Sequence, residues 1–238
     1  MIFDPLYFII LAPGILLALW ATWRTRSAFH AGAQYHSSSG LTGAQAAYDV
    51  IEAAGVTGVR IEPVQGFLSD HYDPHEKVLR LSPEVYYGQH LSALGVAAHE
   101  AGHAIQDATR YPLLSLRNVL VPLANFGSNA AWIIIMIGFV MMAMSEDPTF
   151  GRYVVYTGCG AFSLVVLFQL VNLPVEFDAS RRARLMLLNH GLVTEEEDRI
   201  VGKVLNAAAM TYVAATLTAI LTLVYFLIRA GLLGGRDE

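Results

Sequence analysis

Four long runs of apolar residues constrain the fold of this chain more than any other feature of its sequence. They occupy residues 6–22, 120–144, 154–173 and 207–228, and none contains a charged side chain. A helix needs about 20 apolar residues to cross a membrane, and uncharged stretches of this length are rare in water-soluble domains. We therefore expect four transmembrane helices rather than the buried helices of a soluble bundle.

The first run has the charge distribution of a retained anchor rather than of a cleaved signal peptide. Asp4 precedes the run, whereas Arg24 and Arg26 follow it. A signal peptide carries its basic residues before the apolar stretch, so we expect this segment to remain in the protein.

Composition argues against nucleic acid as a partner and against a framework of disulfide bonds. Hydrophobic residues make up 55% of the chain, and the formal net charge is −5 without a basic stripe that would bind nucleic acid. We therefore expect membrane lipid as a partner and no nucleic acid. Cys159 is the single cysteine of the sequence, so it cannot form an intrachain disulfide and is expected to serve packing.

The four runs divide the chain into eight segments. The predicted transmembrane helices are 1–23, 119–144, 154–173 and 207–228. The remaining segments are two polar stretches, 24–118 and 174–206, a short loop, 145–153, and a tail, 229–238. Alternate crossings of the membrane place both polar stretches on the same side.

The basic residues predict which side that is. Twelve of the fifteen Lys and Arg residues lie in the two polar stretches. Because cytoplasmic segments carry an excess of Lys and Arg, we expect the polar stretches in the cytoplasm and both termini outside.

The first polar stretch combines helical and strand patterns. A short helix is predicted from Thr42, a capping residue, through Ala53, and Gly55 ends it. Residues 59–64 and 77–81 alternate apolar and polar side chains around a turn-rich stretch, which indicates a small hairpin or meander. Ser82-Pro83-Glu84 begins a helical pattern that continues to about Thr109.

That last helical pattern contains His99-Glu100-Ala101-Gly102-His103. The four-residue spacing puts both imidazoles on one face of a helix, where they can bind one Zn²⁺. Glu100, one position along, can reach a metal-bound water and act as its general base. The alternative is a pair of histidines that only satisfy hydrogen bonds.

A catalytic zinc also needs a third protein ligand, and Glu176 is the best candidate. A carboxylate at the margin of a predicted span is unusual unless it is paired or binds metal, although a solvated carboxylate at a helix start is the alternative. Asp178 could orient a ligand imidazole. His71, His75 and His90 are rival ligands, but none shows the four-residue helical spacing.

The strand predicted at Lys77, Val78, Leu79, Arg80 and Leu81 has a more specific candidate role. If it lies beside the metal-binding helix, its free edge could pair with the backbone of an extended peptide substrate. The alternative is an ordinary strand of the sheet.

These residues also carry a resemblance to a known family. Segments 69–74, 79–82, 96–106 and 173–180 are similar to the YugP family of bacterial membrane zinc metallopeptidases, also called neutral zinc metallopeptidases. The resemblance covers nearly the whole chain. It implies a gluzincin-like site with His99, His103 and Glu176 on zinc and Glu100 as the base, in a bacterial inner-membrane protein.

A more distant similarity is to the HtpX and CAAX-prenyl membrane proteases, which combine a two-histidine helix with a later glutamate beside membrane spans. In those proteins an aspartate usually follows the glutamate by four residues, whereas Ser180 occupies that position here. The role of that aspartate is therefore not transferred to Ser180.

Together these patterns predict a mainly α integral-membrane protein. Its four transmembrane helices are joined to a cytoplasmic, zincin-like α+β catalytic domain with a small β-hairpin or sheet. The predicted function is a zinc-dependent endopeptidase with one Zn²⁺ per chain that hydrolyses membrane or membrane-proximal proteins, with protein quality control as a candidate role.

Two other classes of function compete with the peptidase. One is a catalytically silent, zinc-stabilised membrane scaffold or a partner-binding subunit of a larger membrane assembly. A transporter is disfavoured because the spans contain almost no ionisable residues. The sequence leaves open the cleavage preference and whether the chain forms homo-oligomers.

Overall fold

The computed structural model describes residues 4–67 and 69–233. Within them the chain is mostly helical, and its helices are α1 (Pro5–Gly32), α2 (Gly43–Ala53), α3 (Pro83–Tyr86), α4 (Leu91–Ala108), α5 (Pro112–Met144), α6 (Thr149–Asn189) and α7 (Glu195–Arg229). The strands are β1 (Arg60–Pro63), β2 (His71–Asp73) and β3 (Val78–Leu81). Residues 1–3 of the first predicted span and 234–238 of the predicted tail lie outside the described residues.

Four helices, α1, α5, α6 and α7, are long and apolar enough to cross a membrane. Each contains one of the four apolar runs. Helix α6 has 41 residues, which corresponds to roughly 60 Å at 1.5 Å per residue. Since the hydrocarbon layer of a bilayer is about 30 Å thick, roughly half of α6 is enough to cross it.

Contacts within the chain define two compact units, and the first contains parts of the four long helices. It comprises Met1–Leu19, Leu116–Leu173 and Tyr212–Glu238. Its core includes Leu11, Ile135, Val155, Phe162 and Phe226. Helices α5 and α6 approach closely at Gly158, where an added Cβ would lie 3.0 Å from the backbone nitrogen of Ile135. Small residues at such contacts are typical of helix packing in membranes.

The second unit contains the sheet, the short helices and α4. It comprises Trp20–Ser115 and Pro174–Thr211. Its core joins α2, β3 and α4 with α6 and α7, through residues such as Val50, Leu79, Leu94, Leu187 and Val201. Because α4 is buried over most of its length and rich in alanine and glycine, neighbouring backbones can lie close to it.

Helix α2 forms as its sequence predicts. Thr42 and Gln45 make a capping box, in which each side chain accepts a hydrogen bond from the backbone N–H of the other residue. The helix ends before Gly55, whose φ of 68° is a conformation that glycine adopts without steric cost.

The sheet is confirmed, but its connections differ from a simple hairpin between the two predicted strands. Its strand order is β1-β3-β2, with β1 parallel to β3 and β2 antiparallel to it. The reason is the extra strand β2, which forms inside the stretch that the sequence marks as turn-rich. The chain therefore reverses direction twice between β1 and β3, and the hairpin is made by β2 and β3.

The helical pattern that begins at Ser82 is interrupted between Tyr87 and His90. His90 has extended backbone angles, and its Nδ1 accepts a hydrogen bond from the N–H of Ala93, so it caps the N-terminus of α4. Burial lowers the pKa of His90, which favours the neutral ring that can accept this bond. The pattern therefore forms two helices, α3 and α4.

Helices α4 and α6 are in backbone contact at Gly102. A Cβ built on Gly102 would lie 2.6 Å from the carbonyl oxygen of Ala179 and 3.2 Å from its Cα. Neither position belongs to a flexible side chain that can move away. Glycine is therefore required at 102 for the two helices to keep this separation.

We expect Gly102→Ala to lower the midpoint of thermal unfolding of the purified protein. Alanine normally stabilises a helix interior by about 1 kcal/mol relative to glycine. Here the added methyl group forces α4 and α6 apart, and such overpacking costs about 1–3 kcal/mol. Circular dichroism during heating in detergent measures the change.

Gly160→Ala is the matched control, because Gly160 lies on α6 and an added Cβ there meets no atom within 4 Å. Its melting midpoint should equal or slightly exceed that of the wild type. An unchanged or raised midpoint for Gly102→Ala would mean that the contact with Ala179 does not constrain the helices.

Candidate metal centre

Three side chains from two helices converge in the second unit. His99 and His103 lie one turn apart on α4, with their ring centres 4.8 Å apart, and Glu176 lies on α6. The Oε2 atom of Glu176 is 3.2 Å from Nε2 of His99 and 3.5 Å from Nε2 of His103. The structure thus brings together the three residues predicted to bind the metal.

The arrangement fits a zinc ion. The candidate ligand atoms of the three side chains all lie within 4.8 Å of one another. Two ligand atoms about 2.0–2.1 Å from a tetrahedral zinc lie roughly 3.3 Å apart, close to the two contacts of Glu176. Two imidazoles and a carboxylate are also among the ligand sets that catalytic zinc sites use, with a further position left for water.

The same three side chains are withdrawn from solvent. The exposed fraction of the side chain is 14% for His99 and 9% for His103, and that of Glu176 is 2%. A carboxylate buried to this extent requires a partner for its charge. A cation between Glu176 and the two imidazoles would supply that partner.

Each imidazole also forms a hydrogen bond through its second nitrogen, Nδ1. Nδ1 of His99 is 3.0 Å from Oγ of Ser180, and Nδ1 of His103 is 3.0 Å from Oε1 of Gln106. A hydrogen bond from Nδ1–H leaves Nε2 without a proton in the neutral ring, which is the state that binds metal. Both Nε2 atoms accordingly face Glu176.

Gln106 is fully buried, and its three hydrogen bonds determine how its amide is oriented. Its Nε2 donates to the carbonyl oxygen of Val175 at 2.8 Å and to Oδ2 of Asp178 at 3.0 Å. Its Oε1 therefore points to His103 and accepts a hydrogen bond from Nδ1–H of that ring. The amide of Gln106 thus links α4 to α6 beside the candidate ligands.

Asp178 contacts neither imidazole directly. Its carboxylate accepts hydrogen bonds from Gln106, Arg181 and Arg182, and the guanidinium of Arg182 lies 5.5 Å from the ring centre of Tyr111. The orienting role of Asp178 stays a prediction. Asp178 is linked to His103 through the hydrogen bonds that Gln106 forms with both residues.

Glu100 lies between the two histidines in sequence, on the same helix, and is buried. Because Glu100 directly follows His99 on α4, its side chain projects from a position one residue further round the helix than that of His99. Its predicted role as the base stays a prediction.

The three rival histidines lie elsewhere in the described part of the chain. The ring of His90 caps α4, and Nδ1 of His71 bonds to the carbonyl oxygen of Ser69. His75 is exposed in the turn after β2. None of them belongs to the cluster formed by the candidate ligands.

The expectation of a free edge on the strand at 77–81 is wrong. Over Val78–Leu81 the strand is the central one, paired with β1 on one side and with β2 on the other. Val78, Leu79 and Leu81 are buried in the core, and Arg80 pairs with Asp73 and Glu76. The backbone of this strand is therefore engaged within the protein's own sheet.

Lys77 connects the sheet to α4 instead. Its ammonium group pairs with Asp107, which also accepts a hydrogen bond of 2.8 Å from the hydroxyl of Tyr72. Burial and this bond raise the pKa of Tyr72, so its hydroxyl keeps its proton and remains a donor. The sheet is thereby fixed to α4 one turn beyond His103.

The sequence assigned no role to two residues that hold the imidazoles, Gln106 and Ser180. Gln106 follows His103 by three positions and Ser180 follows Glu176 by four, so each shares a helix face with a candidate ligand. These spacings were visible in the sequence. What the sequence could not supply was the contact between α4 and α6 that brings Ser180 to His99.

Comparisons with known proteins agree with this geometry. A family model described as "Putative neutral zinc metallopeptidase" matches residues 7–231. The protein named "Putative membrane protease YugP", from Bacillus subtilis (strain 168), is 40% identical over 222 residues, which cover 93% of this chain and 94% of that protein. No solved structure matches the chain. On the strength of the family model and this relative, the chain belongs to the neutral zinc metallopeptidase family.

Proposed function

We propose that the protein is a zinc-dependent endopeptidase whose catalytic base is Glu100. The observation that carries the proposal is the convergence of His99, His103 and Glu176, with Nε2 of both rings facing one carboxylate oxygen. Membership of a metallopeptidase family supports it. These three residues would hold one Zn²⁺ per chain.

A zinc ion held by His99, His103 and Glu176 would supply Lewis-acid chemistry, which polarises a peptide carbonyl and makes a water molecule a stronger acid. Glu100 takes a proton from the attacking water and delivers it to the amine that leaves. Ser180 and Gln106 hold His99 and His103 in the orientation that binds metal. Burial of the site keeps bulk water from competing with this proton transfer.

The substrates we propose are membrane proteins and proteins close to the membrane, with quality control as a candidate role. Four helices long and apolar enough to span a membrane support this location, as does the name of the relative from Bacillus subtilis. In the multi-pass inner-membrane protein that we propose, the distribution of Lys and Arg supports placing the catalytic segments, 24–118 and 174–206, in the cytoplasm and both termini outside.

We expect Glu100→Gln to abolish cleavage without removing zinc. Loss of a general base lowers the rate by about 10²–10⁴-fold, whereas the histidines and Glu176 remain to bind the metal. Cleavage of casein and of detergent-solubilised membrane proteins, with and without a chelator, measures activity. Metal analysis should find one zinc per chain in both proteins.

Glu52→Gln makes the same substitution at an exposed carboxylate on α2 and should cleave as the wild type does. If the wild type holds zinc and cuts none of these substrates, the scaffold function replaces the peptidase. If neither protein holds metal, the proposed site itself is excluded.

Ser180→Ala tests whether the partner of Nδ1 prepares His99 for metal. The variant removes the hydroxyl that accepts a hydrogen bond from Nδ1–H of His99, so zinc affinity should fall about 10–100-fold. Competition with a chromophoric chelator measures the affinity of each protein for zinc.

Ser163→Ala is the matched control on α6, because Oγ of Ser163 bonds to the carbonyl of Cys159 in its own helix. Zinc affinity and melting midpoint should be unchanged there. Equal zinc affinity for Ser180→Ala and the wild type would exclude an orienting role for Ser180.

A further inference from the structure

A groove of about 340 Å³ lies between α1 and α7 within the second unit. The two helices touch beside it at two levels. Oγ1 of Thr25 donates to the carbonyl oxygen of Ala207 at 3.0 Å, and a Cβ built on Gly32 would lie 3.0 Å from Cγ2 of Val204. These contacts hold the two walls of the groove at a fixed separation.

The groove is positively charged and has no acidic lining residue. Its two charged groups are Arg24 on α1 and Lys203 on α7. Both are exposed, and neither forms an ion pair with any of the residues that the structure describes. The guanidinium of Arg24 lies over the ring of Trp20, 5.1 Å from its centre, which limits where it can point.

Two other grooves in the described chain lack this property. A second groove, between α6 and α7, contains Arg184, but Asp198 lines the same groove and pairs with it. A third contains Arg229, which pairs with Asp4. The groove between α1 and α7 differs from these two because the described chain does not neutralise the charge of its two cations.

Both cations lie at the end of an apolar run. Arg24 is the first charged residue after the run that ends at Thr22, and Lys203 precedes the run that begins at Ala207 by one helical turn. On helices that cross a membrane, these positions fall at the level of the lipid headgroups. Trp23, which is 65% exposed and lines the groove, is a residue typical of that level.

We propose that this groove binds the phosphate headgroup of an anionic phospholipid such as phosphatidylglycerol. Arg24 and Lys203 offset the charge of the phosphate, and the hydroxyl of Ser27, which also lines the groove, can donate to a phosphate oxygen. The indole of Trp23 contacts the glycerol and the upper part of the acyl chains. The lipid then bridges α1 and α7, and the site is independent of the peptidase reaction.

Native mass spectrometry of the full-length protein tests the proposal by counting retained lipids. The protein is incubated with phosphatidylglycerol and phosphatidylcholine that carry identical acyl chains. The wild type should retain phosphatidylglycerol in preference. Removing both charges, in the double variant Arg24→Gln and Lys203→Gln, should weaken its retention by on the order of 30-fold, since each cation near a membrane surface contributes about a factor of five.

The matched control also removes one cation from each helix, but outside the groove, in the double variant Arg26→Gln and Arg199→Gln. It should retain phosphatidylglycerol as the wild type does. The charge-conserving pair Arg24→Lys and Lys203→Arg should retain it too, which separates loss of charge from loss of folding. Melting midpoints of all variants are compared in parallel.

Four outcomes would overturn the proposal. Equal retention by the wild type and the groove variant would exclude these cations as the site. Equal loss in the groove variant and the control would indicate diffuse surface charge. Displacement of the lipid by millimolar inorganic phosphate would mean that the groove recognises free phosphate, and displacement by an acidic peptide would favour a protein ligand.

Discussion

Burying the Glu176 carboxylate costs several kcal/mol unless polar or cationic partners meet its charge, and its side chain is only 2% exposed. The residues around it are arranged to meet that requirement. His99 and His103 present Nε2 to the carboxylate because Ser180 and Gln106 engage the opposite nitrogen of each ring. A divalent cation held among the three side chains would complete the compensation, which is why the site favours a metal function over a purely packed interior.

The backbone contact between α4 and α6 is what makes this arrangement geometrically feasible. Gly102 lies between the two histidines in sequence, and it faces the backbone of Ala179, three residues after Glu176. A larger residue at 102 would separate the imidazoles from the carboxylate. The buried amide of Gln106 adds a polar link between the same two helices through Val175 and Asp178. The packing of α4 against α6 and the hydrogen bonds of Gln106 therefore both help to position His99, His103 and Glu176.

Local patterns predicted much of this structure, whereas contacts between distant segments were beyond them. Uncharged runs identified four helices that are long enough to span a membrane, and Thr42 marked the start of α2. The sequence did not reveal that the strand at 77–81 is central, because strand order depends on long-range pairing. It also missed the cap at His90, since histidine is not among the residues preferred at that position. Ser180 was named, but its partner lies 81 residues away along the chain.

The order of the ligands along the chain has a consequence for biogenesis. His99 and Glu176 are 77 residues apart, and α5 together with the first part of α6 lies between them. A ribosome that adds about 5–20 residues per second needs roughly 4–15 s to make that interval. During this time the nascent chain carries the two imidazoles but not Glu176, so the candidate metal site stays incomplete until α5 and the apolar part of α6 have been synthesised. A metal ion that needs all three side chains could therefore bind only after three of the four helices long enough to cross a membrane have been made in whole or in part.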